Sequence, residues 1–217
     1  MKHGAIFDMD GTLFDTESFY KQAWLEVIEE FGEEKNYDFP TAISGTNLGA
    51  ESLQVIKNFY PNIDATAYLK RVLEEVRKVS EKNLRLMAGV EEILNFFQAE
   101  NVSMAVASSA PVAVIEKNLT RTNLRGYFKV LVGGDLVKSG KPAPDIFLLA
   151  TKKLNLAPEN CYVFEDSFNG IRAASASGCT AIMIPDQVQP TEEIKKLCAA
   201  VFQNLNEARQ AIEEGRL

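Results

Sequence analysis

The sequence predicts an α/β fold: a parallel sheet covered by helices on both faces, with an α-helical unit inserted after the first strand. Three observations predict it. From about residue 89 onward, short apolar runs alternate with helical stretches, a pattern that right-handed crossovers turn into a parallel sheet. Residues from about 16 to 84 carry helical periodicity throughout. The first apolar run, Ala5-Ile6-Phe7, cannot form a sheet alone, so it joins the later strands and leaves the helical stretch as an insertion.

Taken in order, Ala5-Ile6-Phe7 followed by Asp8-Met9-Asp10-Gly11 reads as a buried strand and a tight turn. Over 16–31, Phe19, Tyr20, Ala23, Trp24, Val27, Ile28 and Phe31 recur at helical spacing, and Gly32 stops the helix. Leu53, Val55, Ile56 and Phe59 mark a second helix closed by Pro61, and the run from Tyr68 through Val72 and Val76 to Val79 marks a third. A helix is expected over 89–97, a strand over 102–107, and a helix over 111–119 with Pro111 in its first turn. Then come a strand at 130–132, a helix over 144–154, a strand at 161–164, and a helix over 167–177 that ends at Gly178. A strand at 181–184 is stopped by Pro185, and helices over 192–197 and 205–213 flank Val201-Phe202. The expected organisation is a discontinuous α/β core of residues 1–15 and 88–217, with residues 16–87 as a helical cap over the carboxyl edge of the sheet.

Bulk properties narrow the function. A chain of 217 residues can bury a good core. The formal charge of −7 repels nucleic acid and anionic lipid, so neither is an expected partner. The N-terminal segment reaches Asp8 too early for a signal-peptide core, and no apolar run is long enough for a membrane span. The expectation is a cytoplasmic enzyme. Cys161, Cys179 and Cys198 lack metal-site spacing and are expected to be free thiols that pack as small apolar residues. The sequence does not fix the oligomeric state; a monomer is the working expectation.

In an open parallel sheet, ligands bind beyond the carboxyl ends of the strands. Polar residues cluster there. The first strand ends in Asp8 and Asp10, the second in Ser108 and Ser109, and the fourth in Glu165 and Asp166, while Lys141 lies in a loop before a helix. Asp8 and Asp10, two apart in an extended segment, share one side. Paired carboxylates suit nucleophile-plus-acid chemistry on a phosphate ester: one attacks phosphorus, the other protonates the leaving oxygen and later takes a proton from water. Four clustered carboxylates repel unless a cation sits among them, and oxygen-only ligands suit Mg²⁺. Lys141 and the Ser108 hydroxyl can hold phosphoryl oxygens. Each residue alone has a plainer reading: a turn or cap for a strand-end Asp, a solvated charge for Lys141, a capping role for Ser108. Together, each at a predicted strand end or helix start, they describe a site.

The segment Asp8-Met9-Asp10-Gly11-Thr12-Leu13-Phe14-Asp15-Thr16 resembles the signature of the haloacid-dehalogenase-like (HAD) hydrolase superfamily. Ser108 resembles its second motif, Lys141-Pro142-Ala143-Pro144-Asp145 the third, and Phe164-Glu165-Asp166-Ser167-Phe168-Asn169-Gly170-Ile171 the fourth. The likeness spans the chain and is greatest to the β-phosphoglucomutase and phosphoglycolate-phosphatase branch. It implies a Rossmann-like core with an inserted helical cap. It also implies that Asp8 becomes a phosphoaspartate, that Asp10 is the acid/base, and that Ser108 and Lys141 bind the transferring phosphoryl group. Mg²⁺ would be held by Asp8, the main-chain carbonyl of Asp10, and Asp166, with Glu165 in direct or indirect contact. The presence of Asp10 argues against dehalogenation, since a halide needs no proton donor. Asp15 and Thr16 fall where the chain passes to the cap and suit a hinge. His3, the single histidine, precedes the first strand and is not an expected catalyst.

The function so implied is an Mg²⁺-dependent phosphatase of a small phosphorylated metabolite such as a sugar phosphate. Two alternatives stay open: a phosphohexomutase of the β-phosphoglucomutase kind, and a non-enzymatic phosphoryl-accepting switch. The switch reading fits poorly with a large helical insertion. A mutase must hold a second phosphate, yet residues 36–56 contain no Lys or Arg. In the β-phosphoglucomutase pattern that stretch is basic, and a histidine stands where this chain has Tyr20. Substrate contacts are expected on the cap from Tyr20 and from Ser44, Gly45, Thr46 and Asn47, and on the core from Ser109.

Overall fold

The computed structural model describes residues 1–43, 49–186 and 189–217. They divide into two compact units, Asp15–Arg85 and the combination of Met1–Phe14 with Leu86–Leu217.

The unit Asp15–Arg85 is helical: α1 (Glu17–Val27), α2 (Phe39–Ile43), α3 (Ala50–Phe59) and α4 (Ala65–Asn83). The expected first helix covers the right residues, but its last turn, Ile28–Phe31, tightens to a 3₁₀ helix before Gly32 turns the chain at φ +79°. The five-residue α2 has no separate counterpart in the sequence reading, being too short to show a period. Asp64 starts α4 by accepting hydrogen bonds from the backbone N–H of Thr66 (2.9 Å) and Ala67 (3.1 Å). The unit folds around aromatic rings. Trp24 meets Phe39 edge-on at 5.5 Å and lies 5.6 Å from Tyr68, and Phe39 meets Tyr60 at 5.1 Å. The Tyr68 hydroxyl, fully buried, donates to the Trp24 carbonyl at 2.5 Å, which satisfies the one polar atom that the ring carries inside.

The other unit holds, among the described residues, a parallel six-stranded sheet. The strands are β1 (Gly4–Phe7), β2 (Ser103–Ser108), β3 (Phe128–Gly133), β4 (Cys161–Glu165), β5 (Thr180–Met183) and β6 (Ala200–Val201), in spatial order β3-β2-β1-β4-β5-β6. Six helices accompany them: α5 (Val90–Ala99), α6 (Val112–Arg121), α7 (Asp145–Leu154), α8 (Phe168–Ala176), α9 (Glu192–Leu197) and α10 (Leu205–Glu213). The first strand is central, paired in register with β2 (Ile6↔Ala105) and β4 (Ile6↔Val163). Alternation along β1 loads both faces. Phe7 stacks on Phe164 at 4.7 Å on one face, and Ile6 packs with Val163, Val132, Phe147 and Ile171 on the other. Each such fully buried side chain contributes about 1.5–3 kcal/mol.

The expected α/β class and parallel sheet are thus found. Two details differ. β6 has only two residues, so Val201-Phe202 carried too little pattern to register as a strand. Pro111 stands at the N-cap of α6 (φ −60°, ψ 148°), one residue outside the helix instead of in its first turn. Cys161 and Cys179 are buried in the core cluster and all three thiols are free. Burial pushes the Cys161 thiol up to about 12, which disfavours the thiolate form. No helix among the described residues is long and apolar enough to cross a membrane.

Candidate active site

The strand order sets where the chemistry collects. The chain runs from β1 outward through β2 to β3, then returns to the other side of β1 with β4. Such a reversal opens a crevice beyond the carboxyl ends of β1 and β4. Asp8 continues β1 by donating its N–H to the Phe164 carbonyl at 3.0 Å. Glu165 closes β4, with its own carbonyl accepting from Ile184 N at 2.8 Å. Ser108 closes β2 on the opposite flank of β1. The ladder alone therefore aligns three polar residues on adjacent strands.

Lys141 ties them together. Its ammonium lies 2.5 Å from Asp8 Oδ1 and 2.5 Å from Glu165 Oε1, donates to the Ala107 carbonyl at 3.3 Å, and rests over the Phe147 ring. The side chains of all three ions are at least nine-tenths buried, so each needs the others: a buried charge without a partner is strongly destabilising. The second oxygen of Glu165 accepts from Ser167 N and Ser167 Oγ, both at 3.0 Å. The Ser167 hydroxyl also caps α8 by accepting from Gly170 N at 3.0 Å.

The turn after Asp8 brings in the fourth segment. Leu13 N and Phe14 N both donate to the Met9 carbonyl at 3.0 Å, and Gly11 N donates to the Phe14 carbonyl at 2.9 Å. Gly11 has φ +78°, and a Cβ there would run into the Asp166 carboxylate, so conformation and space both call for glycine. Buried Thr12 donates to Asp166 Oδ1 at 3.4 Å. Carboxylate oxygens of Asp8, Glu165 and Asp166 consequently lie within 4.8 Å of one another.

Electrostatics follow from burial. The Asp8 carboxyl is pushed up to about 8, chiefly by desolvation, with Lys141 opposing the rise and Glu165 and Asp10 adding to it. Burial alone would lower the Lys141 ammonium, but Asp8 and Glu165 more than offset that and hold it above its ordinary value. One firmly held cation thus faces an excess of carboxylates, and oxygen donors at this spacing fit a hard divalent cation such as Mg²⁺.

Of the residues singled out in the sequence, Asp8, Lys141, Glu165 and Asp166 are brought together, and Asp10 is half-buried beside them. Ser108 is buried, its hydroxyl accepting from Ala110 N at 3.1 Å, and Ser109 is exposed on the following turn. Tyr20 is half-buried on α1, at the margin of the aromatic cluster of the helical unit. Ser44, Gly45, Thr46 and Asn47 lie outside the described residues. The sequence reading gave no role to Thr12 or Ser167, which hold Asp166 and Glu165 by hydrogen bonds. Gly170 lies in the first turn of α8, where a Cβ would overlap the Glu165 carboxylate. A glycine in the first turn of a helix, where it lowers stability by about 1 kcal/mol relative to alanine, was the available signal for that close approach.

Comparisons with known proteins place the chain in a family. The family model of haloacid dehalogenase-like hydrolases matches residues 5–184. A phosphorylated carbohydrates phosphatase of Thermotoga maritima is 39% identical over 178 residues, which covers 82% of each chain. Fructose-1-phosphate phosphatase YqaB of Escherichia coli is 34% identical over 179 residues, covering 82% of this chain and 94% of the relative. A crystal structure of a candidate β-phosphoglucomutase from Thermotoga maritima, 33% identical, superposes with a TM-score of 0.81 over 99% of both chains. With a match that takes in the first strand, the helical insertion and every segment that reaches the acidic crevice, the chain belongs to the haloacid dehalogenase-like hydrolase family.

Proposed function

We propose that the protein is a phosphatase of a small phosphorylated carbohydrate and that it works through a phosphoaspartate on Asp8. The observation that carries this reading is the Asp8 carboxylate at the end of the central strand, held by Lys141 within an acidic cluster. Lys141 binds one oxygen of Asp8, which orients the other toward phosphorus. In the first step the Asp8–phosphorus bond forms, the ester oxygen–phosphorus bond breaks, and Asp10 gives its proton to the departing alcohol. In the second step water attacks phosphorus, Asp10 takes a proton from it, and the Asp8 carboxylate is released with inorganic phosphate. Ser108 and Lys141 hold the phosphoryl oxygens. The residues fit Mg²⁺ held by Asp8, Asp166 and the main-chain carbonyl of Asp10. When bound it supplies charge neutralisation between two anions that otherwise repel. Both oxygens of Glu165 are already engaged by Lys141 and Ser167, which supports a role in fixing Lys141 over direct metal ligation.

The phosphatase names of the two relatives favour hydrolysis over isomerisation, as does the absence of Lys and Arg from residues 36–56. The mutase reading rests on the description of the Thermotoga maritima structure. We assign substrate selection to the helical unit, through Tyr20 and the segment Ser44, Gly45, Thr46 and Asn47, with Ser109 contributing from the core. A paired assay tests the reading. Phosphate release is measured over a panel of sugar and sugar-alcohol phosphates with Mg²⁺, alongside conversion of β-glucose 1-phosphate to glucose 6-phosphate. Phosphate release without a bisphosphate activator is expected. Efficient isomerisation with negligible release would overturn hydrolysis, and labelling without turnover would point to the switch.

A further inference from the structure

The segment that follows Ser108 is held in an unusual way. Residues 109–111 link β2 to α6, and the helix begins at Val112 with Pro111 as its N-cap. Proline has no side-chain acceptor, so the first-turn N–H groups find no local cap. The acceptor comes instead from another part of the chain: Val112 N donates to Asp135 Oδ1 at 3.0 Å, across 23 positions of sequence. One residue earlier in that segment, Gly134 N donates to the Ala110 carbonyl at 3.1 Å. The two backbones touch along their length. A Cβ on Gly133 would sit 2.5 Å from Val112 N and 2.7 Å from the Ala110 carbonyl oxygen. A Cβ on Gly134 would sit 2.5 Å from the Ser109 carbonyl oxygen. These are contacts that real side chains do not make, so the glycines are what let the turn after β3 lie against the loop after β2. Asp135 itself is exposed and takes no part in the Asp8–Lys141–Glu165 cluster.

We infer that Asp135 is a positioning residue for the phosphoryl-binding loop 108–112, docking it through Val112 onto the Gly133-Gly134 turn. The inference rests on the reading of Ser108 as a phosphoryl contact. Ser108 lies at the root of this loop, with its hydroxyl oriented by Ala110 N, and Ala110 is itself gripped by Gly134. An anionic acceptor at a helix N-terminus makes one of the stronger backbone contacts. Loss of it frees the loop without touching the nucleophile or the carboxylates that suit a metal.

The experiment compares the wild type with Asp135→Ala, Asp135→Asn, Gly134→Ala and Ser108→Ala. Hydrolysis of p-nitrophenyl phosphate, inhibition by inorganic phosphate, and the Mg²⁺ concentration for half-maximal rate are measured well below the unfolding midpoint. Asp135→Ala is expected to raise KM and the phosphate inhibition constant about tenfold, the equivalent of roughly 1.4 kcal/mol, with the Mg²⁺ requirement unchanged. Asp135→Asn, which keeps an acceptor oxygen, is expected to restore both to near the wild-type values. Gly134→Ala crowds the same loop from its other side and is expected to weaken phosphate in the same way, which keeps the test open should Asp135→Ala not fold. Wild-type phosphate affinity in Asp135→Ala or Gly134→Ala, with Ser108→Ala weakened, would overturn the docking role alone. So would a fall in stability with KM and the inhibition constant unmoved. Wild-type phosphate affinity in Ser108→Ala would overturn the reading of Ser108, and this inference with it.

Discussion

Both units have apolar cores, but they differ in the charge they bury. In Asp15–Arg85 the centre is aromatic, with the Tyr68 hydroxyl donating to the Trp24 carbonyl inside it. In the α/β unit an ion cluster of Asp8, Lys141 and Glu165 lies buried at the end of the central strands. Apolar packing stabilises without selecting a reaction, whereas a buried ion cluster is retained only where each charge has a partner. The difference supports the proposal that the chemistry belongs to the α/β unit. Changes inside the helical unit should register mainly in stability, and changes at the strand ends mainly in turnover.

Substitutions can break that division, starting with the largest expected effect. Asp8→Asn should lower phosphate release by at least about a thousandfold, or roughly 4 kcal/mol. Its far-UV circular dichroism should be unchanged, because the amide oxygen can still accept from Lys141. Next, Mg²⁺ at a hundredfold excess over its dissociation constant should raise stability by about 2.7 kcal/mol, visible as a higher melting temperature. Asp166→Ala should abolish that shift. A shift that survives the substitution would place the metal elsewhere. Gly170→Ala drives a methyl group into the Glu165 carboxylate and should destabilise by about 1–3 kcal/mol. It should also reduce kcat/KM at least about tenfold by loosening Lys141. Smallest is Tyr68→Phe, which removes the buried bond to Trp24. It should lower stability by about 1 kcal/mol while leaving kcat within about twofold. A large loss of kcat there would break the division between the units.

The same contrast explains what the sequence disclosed. Strand ends were legible because short apolar runs stop at charged residues: Ala5-Ile6-Phe7 before Asp8, and Tyr162-Val163-Phe164 before Glu165 and Asp166. Their convergence then follows from parallel pairing. The grip of Lys141 on both Asp8 and Glu165 was not legible, since it depends on a loop fold that carries no periodicity. Nor was the role of Gly170, because a glycine that makes room for a distant carboxylate reads like any other. In the helical unit Trp24 and Tyr68 read as packing from their spacing and are buried. The five-residue α2 shows no period in the sequence because it is barely longer than one turn. The helical spacing of Tyr20 discloses only its place on α1, and the substrate role proposed for it comes through resemblance.

A covalent bond between Asp8 and phosphorus can be trapped chemically. The enzyme is mixed with substrate in a single turnover, quenched at intervals across the reaction, and reduced with borohydride, which converts an aspartyl phosphate to homoserine with loss of phosphate. Peptide mass spectrometry then reads position 8. Homoserine at position 8 that rises and falls as phosphate is released is the predicted result. Full phosphate release with position 8 remaining aspartate at every interval, or reduction at a different carboxylate, would contradict it.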